Sequence, residues 1–329
     1  MLIVEKRKKL RKQLKYAKNI FIMAHKNLDL DALGSSIGMY VILKNQRKHC
    51  YLVIDDVEHE LGVEKILREL DGCITIIKST EVEEKLHKSP NKNLLLILDT
   101  NKKELVQSDS ILSLFKKKII IDHHKVGKTT IEGTLMIIDE KMSSTCEMIT
   151  NLLESYDMEI DSYFATVLLS GIVLDTNNFM LKTTANTYYS AYYLASLGAS
   201  AKKVQYLLKQ DLMEYTERQK LLSKIEILHN KIAFTKATPY TIYRREDLAK
   251  IADTLLFFND IEASFVIGKI SKTTVGISGR SLGNFDINKV LSGLGGGGDN
   301  YEGAATFDNK TISAVEEKLK KEIKKQEGE

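Results

Sequence analysis

Apolar residues in the first half of this chain form short runs that are almost unbroken. The strand candidates cover residues 20–24, 50–54, 94–98, 119–121 and 135–138. Strands buried on both faces have such continuous runs, and they belong to parallel sheets that helices cover. Helical spacing of apolar residues occurs between and after these runs, at residues 32–44, 143–156 and 162–176. The first half therefore predicts an α/β domain, a parallel sheet with helices on both faces.

The pattern changes near residue 227, where alternating apolar and polar positions become common. Four segments there are predicted to be strands: KIAFTKA, YTIYRR, IEASFVIGKI and TTVGISGRSL. A closing helix follows, with one apolar face made by Ile312, Val315, Leu319 and Ile323. We therefore predict a parallel-sheet domain at 1–190, a helical connector at 191–226 and a smaller α/β domain at 227–329. A ligand cleft is expected between the two domains.

The first segment, residues 5–18, is basic but carries Leu10, Leu14 and Ala17 at helical spacing. We interpret it as an amphipathic surface helix whose Lys/Arg face is solvated. A helix lying on a lipid surface is the alternative.

Composition limits the class of protein. The 329 residues are 43% hydrophobic and 28% charged, which are ordinary values for a globular chain. The net charge of +4 is small and gives no reason to expect a long nucleic acid as partner. Three scattered cysteines indicate free thiols in a reducing compartment. Without a membrane-spanning run or a secretory signal, the chain as given is expected to be cytoplasmic.

Acidic and imidazole side chains follow the apolar runs at four separate places. They are His25, Asp29 and Asp31; Asp99; Asp122, His123 and His124; and Asp175. Taken singly, an aspartate after a strand often caps the next helix. The recurrence matters because ligands of open α/β sheets bind beyond the carboxyl ends of the strands. The pattern therefore predicts one convergent site.

Electrostatics indicates what such a site would hold. Four carboxylates facing one pocket repel one another, and two divalent cations would neutralise them. Carboxylate oxygens with a minority of imidazole nitrogens suit Mn²⁺ or Mg²⁺ better than a thiolate-rich zinc site. Two metals about 3.5–4 Å apart can activate water for in-line attack on phosphorus. The helix predicted to start just after Asp31 is expected to turn backbone N–H groups toward a phosphate.

These motifs resemble a known family. HKNLDLDALGS, LDT, DHH and GIVLDTNNF, in this order, look like the four motifs of the DHH phosphoesterase superfamily. The later segment VGISGRSLGNFDINKVLSGLGGGGDNYEGAAT is similar to the companion DHHA1 substrate domain. The resemblance extends from about residue 17 to residue 307 and is strongest to the catalytic half of GdpP-type cyclic-di-AMP phosphodiesterases.

The resemblance implies a role for each matching residue. The metal ligands would be His25, Asp29, Asp31, Asp99, His123 and Asp175. Asp99 would bridge two divalent ions, Mn²⁺ in the first place and Mg²⁺ or Co²⁺ as alternatives. Asp122 would orient His123, and His124 would donate to the scissile phosphate. The substrate would be held by Arg280, Ser281, Gly295, Gly296, Gly297, Gly298 and Asp299.

Two positions depart from the family pattern. Asp299 stands where the family's glycine loop normally ends in histidine, so an anion replaces a hydrogen-bond donor. Such an aspartate would weaken phosphate binding unless it is turned away, protonated or bridged to a cation. Leu28 replaces a proline in the first motif and removes no ligand.

The function implied by the resemblance is two-metal hydrolysis of cyclic-di-AMP to linear pApA. One alternative keeps the chemistry and changes the substrate, as in a nanoRNase and pAp phosphatase acting on short oligonucleotides. Another is a nucleotide-binding sensor with weakened turnover, marked by Asp299. Parent proteins of the GdpP type are membrane-anchored, and a homodimer is an open option for the assembly.

Overall fold

A computed structural model describes residues 4–55, 59–229 and 231–327 of the chain. The chain divides into two compact units, Met1–Lys209 and Gln210–Glu329. The segment predicted as a connector, 191–226, is therefore shared between the units. Each unit contains its own hydrophobic core.

Seven helices and six strands are described in the first unit. In chain order they are α1 (Val4–Tyr16), β1 (Asn19–Met23), α2 (Leu30–Asn45), β2 (His49–Val53), α3 (Leu61–Glu69), β3 (Ile76–Ile77), β4 (Asn93–Leu98), β5 (Lys118–Asp122), β6 (Leu135–Ile138), α4 (Thr145–Ser155), α5 (Ser162–Asp175), α6 (Ala185–Ser196) and α7 (Ala201–Leu207). Short 3₁₀ helices lie at Ser79–Glu81, Glu83–Lys85, Pro90–Lys92 and Ser110–Leu114.

The strands of the first unit form one sheet in the order β3-β2-β1-β4-β5-β6. Every pairing in this sheet is parallel. Strand β4 is buried along its whole length, which explains its continuous apolar run. The predicted α/β fold with a parallel sheet is confirmed. The sequence predicts helices on both faces, but the α-helices pack on one face, and loops with short 3₁₀ helices such as Ser110–Leu114 cover the other.

Helix α1 lies on the protein with its apolar stripe turned inward. Leu10 and Leu14 are fully buried, and Ala17 is nearly so. Burying each leucine stabilises the fold by roughly 1.5–3 kcal/mol. Because this stripe is used inside the core, the interpretation of α1 as a surface helix with a solvated basic face is confirmed.

The second unit contains α8 (Leu212–Leu222), β7 (Glu226–Leu228), β8 (Ile232–Lys236), α9 (Arg245–Leu255), β9 (Ala263–Lys269), β10 (Thr274–Ser281), α10 (Ile287–Gly293), β11 (Gly297–Gly298), β12 (Glu302–Asp308) and α11 (Ile312–Glu327). Its sheet has the order β11-β12-β10-β9-β8-β7. Among the strands described in this unit, β8 and β9 pair in parallel and the other pairings are antiparallel. The predicted apolar face of α11 is confirmed, because all four of its residues are buried.

The predicted strand YTIYRR is wrong. Its Ile242 forms a single β-bridge with Lys269 and is half exposed, and Arg245 already begins α9. Strand β9 ends at Lys269, so the segment pairs with β9 at that last residue and not along its length. Pro239, just upstream, has no N–H to donate.

Two further sequence observations have structural outcomes. All three cysteines are free, with Cys50 and Cys146 buried and Cys73 exposed. Each helix within residues 4–55, 59–229 and 231–327 is too short or too polar to cross a lipid bilayer.

Candidate metal centre

The predicted ligands gather at the carboxyl edge of the parallel sheet. Strands β1, β4 and β5 are adjacent, and they are followed by His25, Asp99 and His123 respectively. Asp31 lies in the first turn of α2, and Asp175 is the last residue of α5. The sheet therefore supplies three of these groups, and two helix termini supply two more.

One group of side chains surrounds the imidazole of His25. Its Nε2 atom lies 3.4 Å from Asp99 Oδ2 and 3.7 Å from Asp29 Oδ2. These three residues offer ligand atoms that are all within 4.8 Å of one another. The spacing suits a single cation.

A second group surrounds His123. Its Nε2 atom lies 3.2 Å from Asp175 Oδ2, 3.4 Å from Asp99 Oδ1 and 3.9 Å from Asp31 Oδ2. Asp99 thus presents one carboxylate oxygen to each group. The structure brings together all six residues predicted as ligands, although they are spread over 151 positions from His25 to Asp175.

A metal ion fits these groups on two observations. Nε2 of His123 is buried and makes no hydrogen bond, although three carboxylates face it. Burying a polar atom without a hydrogen-bond partner costs free energy, so such an atom indicates that a ligand binds there. The donors are carboxylate oxygens and imidazole nitrogens, which suit Mn²⁺ or Mg²⁺ and include no thiolate.

The protonation equilibria of the carboxylates point the same way. Burial, with repulsion from Asp99 and Asp175, raises the pKa of Asp31 well above its usual value. Burial raises the pKa of Asp175 to about 6, although His123 opposes the shift. Protons must offset the charge of these carboxylates unless divalent cations do so.

The pKa shifts of the two imidazoles and of Asp99 favour the charged form of each group instead. Burial alone would lower the pKa of His25, but Asp29 and Asp99 outweigh it and hold the pKa well above its usual value. His123 behaves in the same way, because Asp175 and Asp99 outweigh its burial and raise its pKa. Burial would raise the pKa of Asp99, yet His123 and His25 lower it well below its usual value. The two imidazoles therefore favour the ionised form of Asp99.

The backbone of Asp99 adopts an uncommon conformation. Its φ is +57°, in the left-handed region that aspartate and asparagine tolerate better than most residues. The chain turns sharply there directly after β4, while the amide of Asp99 donates to the carbonyl of Ile121. This turn places the carboxylate between the two ligand groups.

Asp29 has two tasks. It is the N-cap of α2, and its Oδ1 accepts from the amides of Asp31 and Ala32 at 2.9 Å. Its Oδ2 faces His25. The expectation that the first N–H groups of this helix face a phosphate is therefore wrong for these two amides. The helix begins at Leu30, before Asp31, so the carboxylate of Asp29 accepts the hydrogen bonds from both of these amides.

Asp122 holds the ring of His124. Its Oδ1 lies 2.8 Å from His124 Nδ1 and also accepts from the backbone amide of His124 at 3.1 Å. The resemblance implied His123 as the ring that Asp122 orients, and the structure places the carboxylate on the neighbouring ring. The side chain of His124 is half exposed, so its other face is accessible to a ligand.

Sequence reasoning missed two buried polar residues at this edge. Asn101 donates to Asp122 Oδ2 at 2.6 Å and to the carbonyl of His124 at 3.1 Å. Thr145, the first residue of α4, contacts both Asp31 and Asp99. A signal for the start of α4 was present, because Ser144 and Glu147 have the spacing of a capping box. No local pattern marked Asn101.

The residues predicted to hold substrate lie in the second unit and are already engaged. Arg280 donates to Asp253 at 2.9 Å and lies 3.7 Å from a carboxylate oxygen of Glu302. Ser281 is buried, and its hydroxyl donates to the carbonyl of Phe285 at 2.7 Å. The guanidinium of Arg280 would have to contact a substrate and its acidic neighbours at the same time. The hydroxyl of Ser281 is used in a hydrogen bond within its own loop.

The backbone of the glycine loop is closely packed at Gly296 and Gly298, and there is open space beside it at Gly295 and Gly297. A Cβ at Gly296 would lie 2.3 Å from the carbonyl oxygen of Ala304, and one at Gly298 would lie 2.1 Å from that of Glu302. Gly295 has a φ of +80°, and nothing would contact a Cβ at Gly295 or Gly297. Packing thus requires glycine at 296 and 298. At 297 neither packing nor a positive φ does.

Asp299 turns back on its own loop. Its Oδ1 accepts from the amides of Tyr301 and Glu302 at 2.8 and 2.9 Å. The carboxylate therefore closes the turn between β11 and β12. Whether the carboxylate also faces an anionic ligand stays a prediction, which substitution of Asp299 tests.

The fold and this edge place the chain in a class of α/β proteins that build a carboxylate-rich metal centre beyond the carboxyl ends of parallel strands. Residues 19–172 match the model of the DHH family, N-terminal domain. A DHH-type domain is therefore present at residues 19–172, as the resemblance of the motifs predicted.

Curated relatives extend the match. The chain is 34% identical, over 95% of its length, to the cyclic-di-AMP phosphodiesterase GdpP of Geobacillus thermodenitrificans, covering 48% of that protein. It is 33% identical to the cyclic-di-AMP phosphodiesterase PdeA of Listeria monocytogenes, with 91% and 46% covered. The chain thus spans about half the length of these relatives.

A second kind of relative is more distant. The chain is 26% identical to the bifunctional oligoribonuclease and PAP phosphatase NrnA of Thermus thermophilus, over 93% of this chain and 90% of that one. Among solved structures, an exopolyphosphatase-related protein from Bacteroides fragilis aligns with a TM-score of 0.79 at 21% identity. That alignment covers 97% of this chain and 96% of the other, and it supports the fold.

Proposed function

We propose that this chain is a metal-dependent phosphodiesterase that hydrolyses cyclic-di-AMP to linear pApA. The observation that carries the proposal is the position of Asp99, whose two oxygens face two separate ligand groups. A carboxylate placed in this way suits a pair of divalent ions. The similarity to cyclic-di-AMP phosphodiesterases along nearly the whole chain supports the choice of substrate.

The ligand residues divide into two sets in this proposal. His25 and Asp29 would hold one ion, His123, Asp31 and Asp175 would hold the other, and Asp99 would contribute to both. When bound, the ions act as Lewis acids that polarise the phosphodiester and lower the pKa of water, with Mn²⁺ as the proposed metal. The protein residues fix the ligand atoms in place and exclude further water.

His124 is proposed to bind the scissile phosphate. Burial would lower the pKa of His124, but Asp122 and Asp99 raise it above its usual value, which favours the imidazolium. That ion donates from Nδ1 to Asp122, and its Nε2–H would donate to a non-bridging phosphate oxygen. A hydrogen-bond donor aimed at charge that grows in the transition state lowers the barrier. In the reaction a water oxygen bonds to phosphorus, the bond from phosphorus to a ribose 3′ oxygen breaks, and that oxygen takes up a proton.

The second unit is proposed to bind the nucleotide as a DHHA1 domain. Arg280 would contribute a guanidinium that Asp253 keeps oriented. The glycine loop has no side chains at 295–298, so a nucleotide can approach its backbone closely. The amides of Gly295 and Gly296 already donate within the loop, to the carbonyls of Ser292 and Leu291. Of the seven substrate contacts proposed from the family resemblance, Ser281 and Asp299 already use side-chain oxygens in their own loops.

A second candidate function keeps the chemistry and changes the substrate. Similarity to NrnA over 93% of this chain supports activity on short oligonucleotides or pAp. A sensor that binds without turnover is less well supported, since all six proposed ligands are present and converge.

Product analysis separates these functions. We expect the full chain with Mn²⁺ to convert cyclic-di-AMP to pApA faster than it degrades pApA or pAp, as measured by chromatography of timed reactions. Removing the metal with a chelator should stop the reaction, and added Mn²⁺ should restore it. Preferred turnover of pApA or pAp would favour the NrnA-like function instead. Binding of cyclic-di-AMP without any product in Mn²⁺, Mg²⁺ or Co²⁺ would overturn the enzymatic proposal.

Two substitutions of Asp299 separate its role in the turn from contact with substrate. Asparagine keeps the oxygen that accepts from Tyr301 and Glu302, so we expect an unchanged melting temperature and kcat/KM within about twofold of the parent. Asp299→His removes that acceptor, and we expect it to destabilise the unit by about 0.5–2 kcal/mol. Thermal unfolding and steady-state kinetics on cyclic-di-AMP measure both effects. A kcat/KM for Asp299→Asn that differs by about tenfold would indicate that the charge faces substrate.

A further inference from the structure

The N-terminus of α4 contacts Asp31 with two backbone amides. Thr145 N–H donates to Asp31 Oδ2 at 2.8 Å, and Cys146 N–H donates to Asp31 Oδ1 at 2.7 Å. Both oxygens of this buried carboxylate are therefore held by the first turn of the helix. Because amides fix both oxygens, the orientation of Asp31 is determined by where α4 begins.

The side chain of the same threonine reaches a second carboxylate. Thr145 Oγ1 donates to Asp99 Oδ1 at 2.9 Å, and Thr145 has no solvent exposure. Asp99 Oδ1 is the oxygen that faces His123. One residue thus ties together two carboxylates that come from α2 and from the end of β4.

The start of α4 is itself firmly fixed. Ser144 caps the helix by accepting from the amide of Glu147. The buried carboxylate of Glu147 accepts in turn from the hydroxyls of Ser143 and Thr187. The threonine is therefore positioned by a network that anchors α4 to α6.

We propose that Thr145 is a positioning residue for the metal centre, holding the carboxylates of Asp31 and Asp99 in the orientation in which both would bind the ion beside His123. The inference rests on the proposed function, because it assumes that these carboxylates bind metal. The hydroxyl restrains Asp99 while the amide restrains Asp31, so both present their remaining lone pairs toward His123. Partners of this kind, which contact ligands rather than metal, typically affect metal affinity about 10–100-fold.

The test compares three variants of the full chain by calorimetric titration with Mn²⁺ alone after metal has been stripped. Thr145→Val removes the hydroxyl and keeps the shape, and we expect the weaker of two Mn²⁺ sites to lose about 10–100-fold in affinity. Thr145→Ser keeps the hydroxyl and should bind within about threefold of the parent. Thr150→Val is the matched control, because Thr150 is also buried in α4 and its hydroxyl donates only to the carbonyl of Cys146.

Thermal unfolding in chelator shows whether each variant is folded, and Thr145→Ala tests the same hydroxyl should the valine variant not fold. If Thr145→Val binds two Mn²⁺ as the parent does, the inference is wrong while the proposed function stands. An equal loss in Thr150→Val would also overturn it, because the effect would then come from the helix in general. If the parent chain binds no divalent ion, that result contradicts both the inference and the proposed function.

Discussion

Replacing Asp99 with asparagine is expected to lower kcat for cyclic-di-AMP by about a thousand-fold or more. The carboxylate faces both ligand groups, so its loss weakens both at once. Charge stabilisation by a metal centre accounts for several kcal/mol of the barrier, and each ~1.4 kcal/mol is a factor of ten in rate. Asparagine is the substitution of choice because it tolerates the φ of +57° at this position. Steady-state kinetics and Mn²⁺ titration of the same preparation measure the effect.

The control makes the same chemical change at an equivalent backbone. Asp157 has a φ of +50° and is exposed, so Asp157→Asn should leave kcat within about twofold of the parent. A substantial rate for Asp99→Asn, with Mn²⁺ affinity like that of the parent, would show that Asp99 bridges nothing. The proposed two-ion chemistry could not then be kept.

Replacing His124 with alanine is expected to lower kcat by about 10²–10³-fold while Mn²⁺ affinity stays that of the parent. Removing one donor from a developing anion typically has an effect of this size. The ring is anchored by Asp122 and half exposed, which fits a group that meets substrate. Kinetics and metal titration together separate a substrate contact from a ligand.

That separation matters because His124, Asp99 and His123 also form a group with the spacing of a metal site. If His124→Ala loses metal affinity along with turnover, His124 is a ligand and the role proposed for it is wrong. His49→Ala supplies the control, since His49 is exposed and begins β2, at the amino rather than the carboxyl end of a strand. We expect it to match the parent in both measurements.

Much of the first unit follows from local pattern. A continuous apolar run such as 94–98 is stable where both faces of the strand are covered, which is typical of a parallel sheet in an α/β fold. In such a sheet the carboxyl ends of adjacent strands lie side by side, so residues that follow the strands meet. The convergence of His25, Asp99 and His123 was predictable for this reason.

The second unit was harder to predict because alternation marks strands without marking their partners. YTIYRR alternates like a strand, yet β9 ends before the segment could pair along its length. Pairing partners are set by which edges remain open after the sheet has assembled. Such information is absent from the local pattern.

The sequence by itself determined the DHH-type domain, the class of fold and the residue types that converge, because periodicity and the order of motifs are local properties of the chain. Only the tertiary structure decided the hydrogen-bond partners. Thr145 contacts Asp31 across 114 positions and Asp99 across 46. Asp122 turned out to hold His124, and Asp299 to close its own turn. Such partners depend on how packed helices and loops place buried donors within about 3 Å of an acceptor, and no periodicity along the chain encodes that distance.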